Sequence, residues 1–175
     1  MARDRGAETV LVTASKPLPD PVDVEIIRVQ TAAEMCEAVQ KRVSNKTDAL
    51  IMAAAVSDYK PKTVSGEKIK KDASDWEIRL ESTIDILETI QMDVGVKVGF
   101  AAESTSIIQN TLEKFSRKNL DLIIANDISD PQSGFGSDTN KVWIIDRDKK
   151  VQELPVLPKY EVANRILDRT AQLFK

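Results

Sequence analysis

Three apolar runs constrain this chain more than any other feature. They are DALIMAAA at 48–55, KVGFAA at 97–102 and LDLIIA at 120–125. Runs of this kind fit parallel strands covered by helices on both faces. Between them the apolar residues recur at helical spacing. Thr31-Ala-Ala-Glu34 has the form of a capping box and opens a helix to about Ser44, with Ala33, Cys36, Val39, Gln40 and Val43 on one stripe. Residues 83–92 read as a helix with Ile86, Leu87 and Ile90 inward. Residues 106–118 read as another, with a capping box at Ser106 and Gln109. Residues 158–174 read as a closing helix with Val162, Ile166, Leu167 and Leu173 inward. Shorter strands are expected at 8–13, 24–29 and 76–80. Residues 142–146 and 151–157 read as a hairpin turning through 147–150. ARDRG at 2–6 reads as the last turn of a helix with Gly6 behind it. Strands alternating with helices predict an α/β chain built on a doubly wound, mostly parallel sheet.

Composition narrows the chemistry. The 175 residues hold 25 Lys plus Arg against 28 Asp plus Glu, a formal charge of −3, with no His and one Cys. Without histidine there is no Ser-His-Asp or Cys-His pair and no His-based zinc site. Catalysis has to rest on carboxylates, lysines, hydroxyls, backbone amides or a bound cofactor. The acidic balance argues against a dedicated nucleic-acid binder. No run approaches the length of a membrane span. A single cysteine fits a reducing cytoplasm, where this chain is expected to reside. A chain of this length reads as one domain over 1–175.

In a doubly wound sheet, ligands bind beyond the carboxyl ends of the strands. That rule selects the loops after Ala55, after 100–102 and after Ala125, which are expected to converge on one edge. The first holds AAAVSDYKPKTVSGEKIKK at 53–71. Residues 60–71 carry five lysines against Glu67, a local charge of 5 − 1 = +4. A lysine arm suits a polyphosphate, because ammonium groups stabilise charge that builds on a leaving phosphate. Charge alone equally describes a solvated loop. Phe100 stands either against a base or in the core. Lys114 and Lys118, spaced i,i+4, share one helix face and reach one anion, or simply face water. Asp85 stands at a helix start, where a carboxylate also stabilises the helix end. Asn126-Asp127 and the glycines at 134 and 136 either aim amides at an anion or form plain turns. Cys36 reads as a buried small hydrophobe.

Taken together, AAAVSDYKPKTVSGEKIKK, GFAAES, KNLDLIIAND and GFGSDTNKV, in this order and spacing, resemble the phosphopantothenoylcysteine synthetase domain of coenzyme A biosynthesis, in its bacterial, CTP-using form. The resemblance covers nearly the whole chain. It implies a Rossmann-like sheet with a lysine-rich flap at about 56–75 and a C-terminal β-hairpin, acting as a homodimer. It implies fusion to or association with a flavin-dependent decarboxylase. The implied reaction joins 4′-phosphopantothenate and cysteine through an acyl-cytidylate made from CTP, with Mg²⁺ accompanying the nucleotide. Carried over by position, Lys68 is the flap lysine, and Ala54, Ala55, Asp58, Asp85, Ile86, Phe100, Lys114 and Lys118 are nucleotide contacts. The family's Asn-Pro-Asp-Ile segment reads Thr83-Ile84-Asp85-Ile86 here. The family opens with a strand, a Gly-rich turn and an Arg and Asn that hold the acyl intermediate, and none of these stands in the present sequence. The alternative is therefore a catalytically incomplete nucleotide-binding domain serving assembly. A dehydrogenase is disfavoured by the lack of G-x-G-x-x-G and a total of six glycines.

Overall fold

A computed structural model describes residues 1–14, 19–43, 46–70, 76–90, 94–129 and 136–174. A 3-10 turn at Arg3–Arg5 ends at Gly6, whose φ of 88° is left-handed and whose N–H donates to the Arg3 carbonyl at 2.8 Å. The strands β1 (Val10–Thr13) and β2 (Glu25–Arg28) pair in parallel and form a sheet of their own. The proline-rich stretch between them lies partly outside the described residues. The helix α1 (Ala32–Val43) follows. Its capping box forms as expected: Glu34 N–H donates to Thr31 Oγ1 at 3.1 Å, and Thr31 N–H donates back to Glu34 Oε2 at 3.3 Å. Met35, Cys36, Val39 and Val43 are buried, whereas Ala33 is exposed.

The strand β3 (Thr47–Met52) ends before the three alanines of its apolar run, which are exposed. Two short strands, β4 (Tyr59–Pro61) and β5 (Leu80–Ser82), pair antiparallel to make the base of the flap. The strand expected at 76–80 thus lies later. Trp76 and Ile78 are exposed and outside any ladder, because the flap has no underlying layer for an alternating strand to cover. The helix expected at 83–92 is a single turn, α2 (Ile86–Thr89), with Asp85 as its cap. Residues 91–93 lie outside the described set.

The long central strand β6 (Val94–Glu103) leads to α3 (Ile107–Arg117) and then to β7 (Leu122–Asp127). The second capping box does not form. Ser106 adopts φ 47° with no side-chain cap bond, and Gln109 Nε2 instead donates to Glu113. A two-residue strand β8 (Thr139–Asn140) precedes the hairpin of β9 (Val142–Asp146) and β10 (Val151–Glu153). A further pair of residues, β11 (Leu157–Pro158), pairs with β8 before α4 (Lys159–Ala171). The hairpin is as read from sequence, although its second strand is shorter.

The main sheet has the order β10-β9-β7-β6-β3, with β3, β6 and β7 parallel and β9 antiparallel to β7. Val96, Val98, Leu122, Ile124, Val142 and Ile144 point to one face and pack with Val162 and Ile166 of α4. Ala101, Ile123 and Ile145 point to the other and pack with Leu87, Phe115 and Leu120. Burial on both faces is what the uninterrupted apolar runs require. Each such side chain contributes about 1.5–3 kcal/mol relative to exposure. Gly95 allows the close approach of β6 to β3, since a Cβ there would stand 2.5 Å from the Asp48 carbonyl oxygen.

Among the described residues β1 and β3 share no ladder, although α1 packs on both. Val12 and Ile27 on one side and Leu50 and Met52 on the other meet Met35, Cys36 and Val39 beneath. Between the two strands is an open cleft of about 2490 Å³, lined along both edges by Val10–Thr13 and Thr47–Met52.

At the amino end of the strands Lys97 is buried, and its ammonium donates to the Ile90 carbonyl at 2.8 Å. Its backbone N–H donates to Asp121 Oδ2 at 2.7 Å, and Asp121 also pairs with Arg147. Burial pushes the Lys97 pKa down, and the charge of Asp121 partly opposes this. In the unfolded chain Lys97 returns to its ordinary value of 10.5. Between the lowered folded value and 10.5 the unfolded chain binds the proton more tightly, so stability rises with pH through that window. Below it the contribution is a constant cost. Denaturant unfolding should show wild type gaining stability relative to Lys97→Met as pH rises toward 10. Parallel pH profiles for the two proteins would refute this.

Candidate functional site

The parallel strands β3, β6 and β7 end on one edge, as expected of the three loops. Ala53–Ala55 leave the end of β3 as exposed backbone with minimal side chains and border the cleft. Ser57 Oγ donates to the Tyr59 carbonyl at 2.9 Å, which turns the chain into the flap. Asp58 follows, with an exposed carboxylate, and its carbonyl accepts from Thr83 N–H at 2.8 Å. That bond ties the end of the β3 loop to the segment after β5.

Two residues beyond Thr83, Asp85 performs two tasks. One carboxylate oxygen accepts from Glu88 N–H and caps α2. The other is 2.8 Å from Lys118 Nζ and 4.0 Å from Arg117 Nη2. Arg117 also pairs with Glu88 at 2.5 Å. Asp85 therefore both caps a helix and pairs with Lys118. Ile86 beside it is buried in the core under α1 and presents no side chain to the site. A continuous path thus runs from the exposed Asp58 through Thr83 and Asp85 to Lys118.

One turn up α3, Lys114 Nζ is 2.6 Å from Glu103 Oε1. Glu103 is the last residue of β6 and is buried, and its Oε2 accepts from Asn110 Nδ2 at 3.1 Å. Asn110 Nδ2 is in turn 3.0 Å from the Thr105 carbonyl. Sequence reasoning did not single out Glu103. The available signal was a carboxylate ending an otherwise apolar run, in GFAAE at 99–103.

Phe100 stands apart from these groups. It is half-buried, pairs with Ile124 in the ladder and packs against the cluster under α4. Alternation along β6 puts Phe100 on the opposite face from Glu103. Lys68 is fully in the exposed flap and makes no ion pair with a described residue, whereas Lys60 is 3.3 Å from Glu81. Lys71 and Gly134 lie outside the described residues. At the same strand edge two buried polar atoms, Thr83 Oγ1 and Asn126 Oδ1, have no hydrogen-bond partner among the described residues. Such atoms are rare in folded proteins.

Chemically, the arrangement suits an anionic ligand. It offers two lysines held by carboxylates, a lysine-rich arm above, and small-residue backbone at a strand end. Among the described residues no cluster of three or more His, Cys, Asp or Glu side chains forms a metal cage. A magnesium ion needs no such cage, since it is commonly bound by one or two carboxylates plus substrate phosphates.

Residues 1–174 match the family described as DNA/pantothenate metabolism flavoprotein C-terminal domain. The coenzyme A biosynthesis bifunctional protein CoaBC of Bacillus subtilis (strain 168) is 40% identical over 173 residues, covering 97% of this chain and 42% of that protein. A cysteine/cysteine sulfinic acid decarboxylase of an unknown prokaryotic organism is 38% identical over 172 residues, covering 96% of this chain and 48% of that protein. The chain thus spans under half the length of these relatives. In three dimensions the crystal structure of the C-terminal domain of CoaBC superposes with a TM-score of 0.80 at 36% identity, covering 98% of this chain and 78% of that one.

Proposed function

The chain belongs to the DNA/pantothenate metabolism flavoprotein C-terminal domain family, and from that premise we propose that it is the ligase unit of coenzyme A biosynthesis, a phosphopantothenate–cysteine ligase that uses CTP. The observation that carries this reading is the path from Asp58 through Thr83 and Asp85 to Lys118, with Lys114 one turn away. It gathers cations and a polar edge where the lysine arm begins. The name of the second relative describes a decarboxylation. Under half of that protein is matched, and a lysine-rich anion site serves activation of a carboxylate rather than its loss.

The chemistry runs in two steps. A carboxylate oxygen of 4′-phosphopantothenate attacks the α-phosphorus of CTP, and the bond to pyrophosphate breaks. The cysteine amine then attacks the acyl carbon, the carbon–oxygen bond to CMP breaks, and the amine proton leaves to solvent. The nucleotide phosphates would hold Mg²⁺, which would supply screening of the triphosphate charge. Lys114 and Lys118 bind phosphate oxygens, and Asp58 and the Ala54–Ala55 backbone orient the nucleotide. Lys68 closes over the pyrophosphate as charge develops. No step needs histidine.

Exposed apolar residues on and beside the flap, including Tyr59, Trp76 and Leu80, support the homodimer as the working unit over residues 1–175. A decarboxylase partner, fused or associated, is supported by the bifunctional relative. Cytoplasmic residence follows from the pathway; among the described residues no helix is long and apolar enough to cross a membrane. Titration calorimetry in excess Mg²⁺ tests the nucleotide assignment: CTP should bind and ATP should bind clearly more weakly. Equal affinities would remove CTP from the proposal.

A further inference from the structure

Lys114 is one of the cations on which the ligase reading rests, and its position is decided by a group that does not face solvent. Its Nζ stands 2.6 Å from Glu103 Oε1. The Glu103 side chain is 10% exposed, against 38% for that of Lys114. The carboxylate therefore lies behind the ammonium, and an incoming anion meets Lys114 first. Glu103 is itself held. It ends β6, where its carbonyl accepts from Ile128 N–H at 3.1 Å, and its second oxygen accepts from Asn110 Nδ2. Asn110 is anchored on the Thr105 carbonyl. The result is a relay of fixed groups, Thr105 to Asn110 to Glu103 to Lys114.

We propose that Glu103 is a positioning residue for nucleotide binding, which holds the Lys114 ammonium at the place a phosphate oxygen occupies. The inference rests on the nucleotide reading above and adds a residue to it. A free lysine loses considerable rotamer freedom when it grips an anion. A charge-assisted bond to a fixed carboxylate removes that freedom beforehand. The carboxylate also repels the anion, but the intervening ammonium and the high-dielectric surface weaken that repulsion. Holding therefore outweighs repulsion. When Lys114 is absent only the repulsion is left, so the sign of the Glu103 effect reverses.

The test is a double-mutant cycle on this chain, with CTP and excess Mg²⁺ in the calorimeter at fixed ionic strength. Glu103→Ala should weaken CTP binding about fivefold in the wild-type background. In the Lys114→Met background the same change should leave binding unaltered or tighten it. Equal weakening in both backgrounds would overturn the proposal, since a merely structural role does not depend on Lys114. Asn110→Leu, which loosens Glu103 without removing it, should weaken binding by a smaller factor that also vanishes in Lys114→Met. It decides the matter if Glu103→Ala fails to fold. A readout without ligand separates this inference from the nucleotide reading. The Lys114 ε-methylene protons should be inequivalent in NMR spectra of wild type and averaged in the Glu103 variant. If wild type takes up no CTP, the nucleotide reading falls. The methylene signals then decide whether Glu103 holds Lys114, and identical averaging in both proteins overturns that as well.

Discussion

Lys68→Gln should lower turnover by about 100-fold or more, the scale for losing one electrostatic donor to a developing charge. The substitution removes the charge and keeps most of the side-chain length. Lys68 stands in the exposed flap without an ion pair to any described residue. CTP affinity should fall much less, because Lys114 and Lys118 remain on α3. Pyrophosphate release from CTP and 4′-phosphopantothenate, by the protein containing this domain, measures the first quantity and calorimetry the second. Lys62→Gln is the control. Small and equal effects of the two substitutions would mean that Lys68 is one solvated lysine among five.

The largest effect on stability should come from Ile124→Ala. Ile124 is wholly buried in β7, with Phe100 of β6 and Ile144 of β9 as its ladder partners. It lies in the cluster closed by Val162 and Ile166 of α4. Truncation removes apolar contact and leaves a cavity that strands on both sides prevent from collapsing, at a cost of about 2–5 kcal/mol. Against a total of about 5–15 kcal/mol this is a large share. Urea unfolding should show a lower midpoint with an unchanged slope. Ile69→Ala, in the exposed flap, should change stability by no more than about 0.5 kcal/mol. Similar shifts for both would contradict the placement of the core.

The parts of the fold legible in the sequence are those set by short-range chemistry or by burial on both faces. The apolar runs at 97–102 and 120–125 became β6 and β7 because a strand with two covered faces has no place for polar alternation, whereas the run at 48–55 became β3 only to Met52 and is partly exposed beside the cleft. Thr31 and Glu34 capped α1 because each side chain meets the other's backbone within one turn. Where a local pattern lacked tertiary support, it failed. The alternation in 76–80 suggested a strand, but Trp76 and Ile78 have no layer to pack on, and pairing begins only at Leu80, opposite Pro61. Ser106 and Gln109 have the spacing of a capping box, yet Ser106 takes a left-handed backbone conformation and makes no side-chain cap bond. The separation of β1 and β2 from the main sheet was invisible for a different reason. Strand order is a non-local property, and no residue of β1 records which strand lies beside it.

The site divides in the same way. Asp85 and Lys118 were legible as charged residues at helical positions, and the fold brought them to 2.8 Å. Phe100 was ambiguous because an aromatic in an apolar run serves either a core or a ligand, and its ring packs under α4. Glu103, the end of the 100–103 segment, drew no role of its own because its partners Lys114 and Asn110 stand on the following helix, which a reading of strand composition does not connect.

The cleft between β1 and β3 determines what joins the two sheets. Inside a sheet, a row of backbone hydrogen bonds joins strand to strand. Among the described residues that row is interrupted here. The β1–β2 plate is coupled to the rest by the side chains of α1 beneath it and by Arg5, which clasps Asp168 and Asn164 of α4. The inward face of α1 therefore serves two sheets at once: Met35, Cys36 and Val39 meet Val12 and Ile27 of one and Leu50 and Met52 of the other.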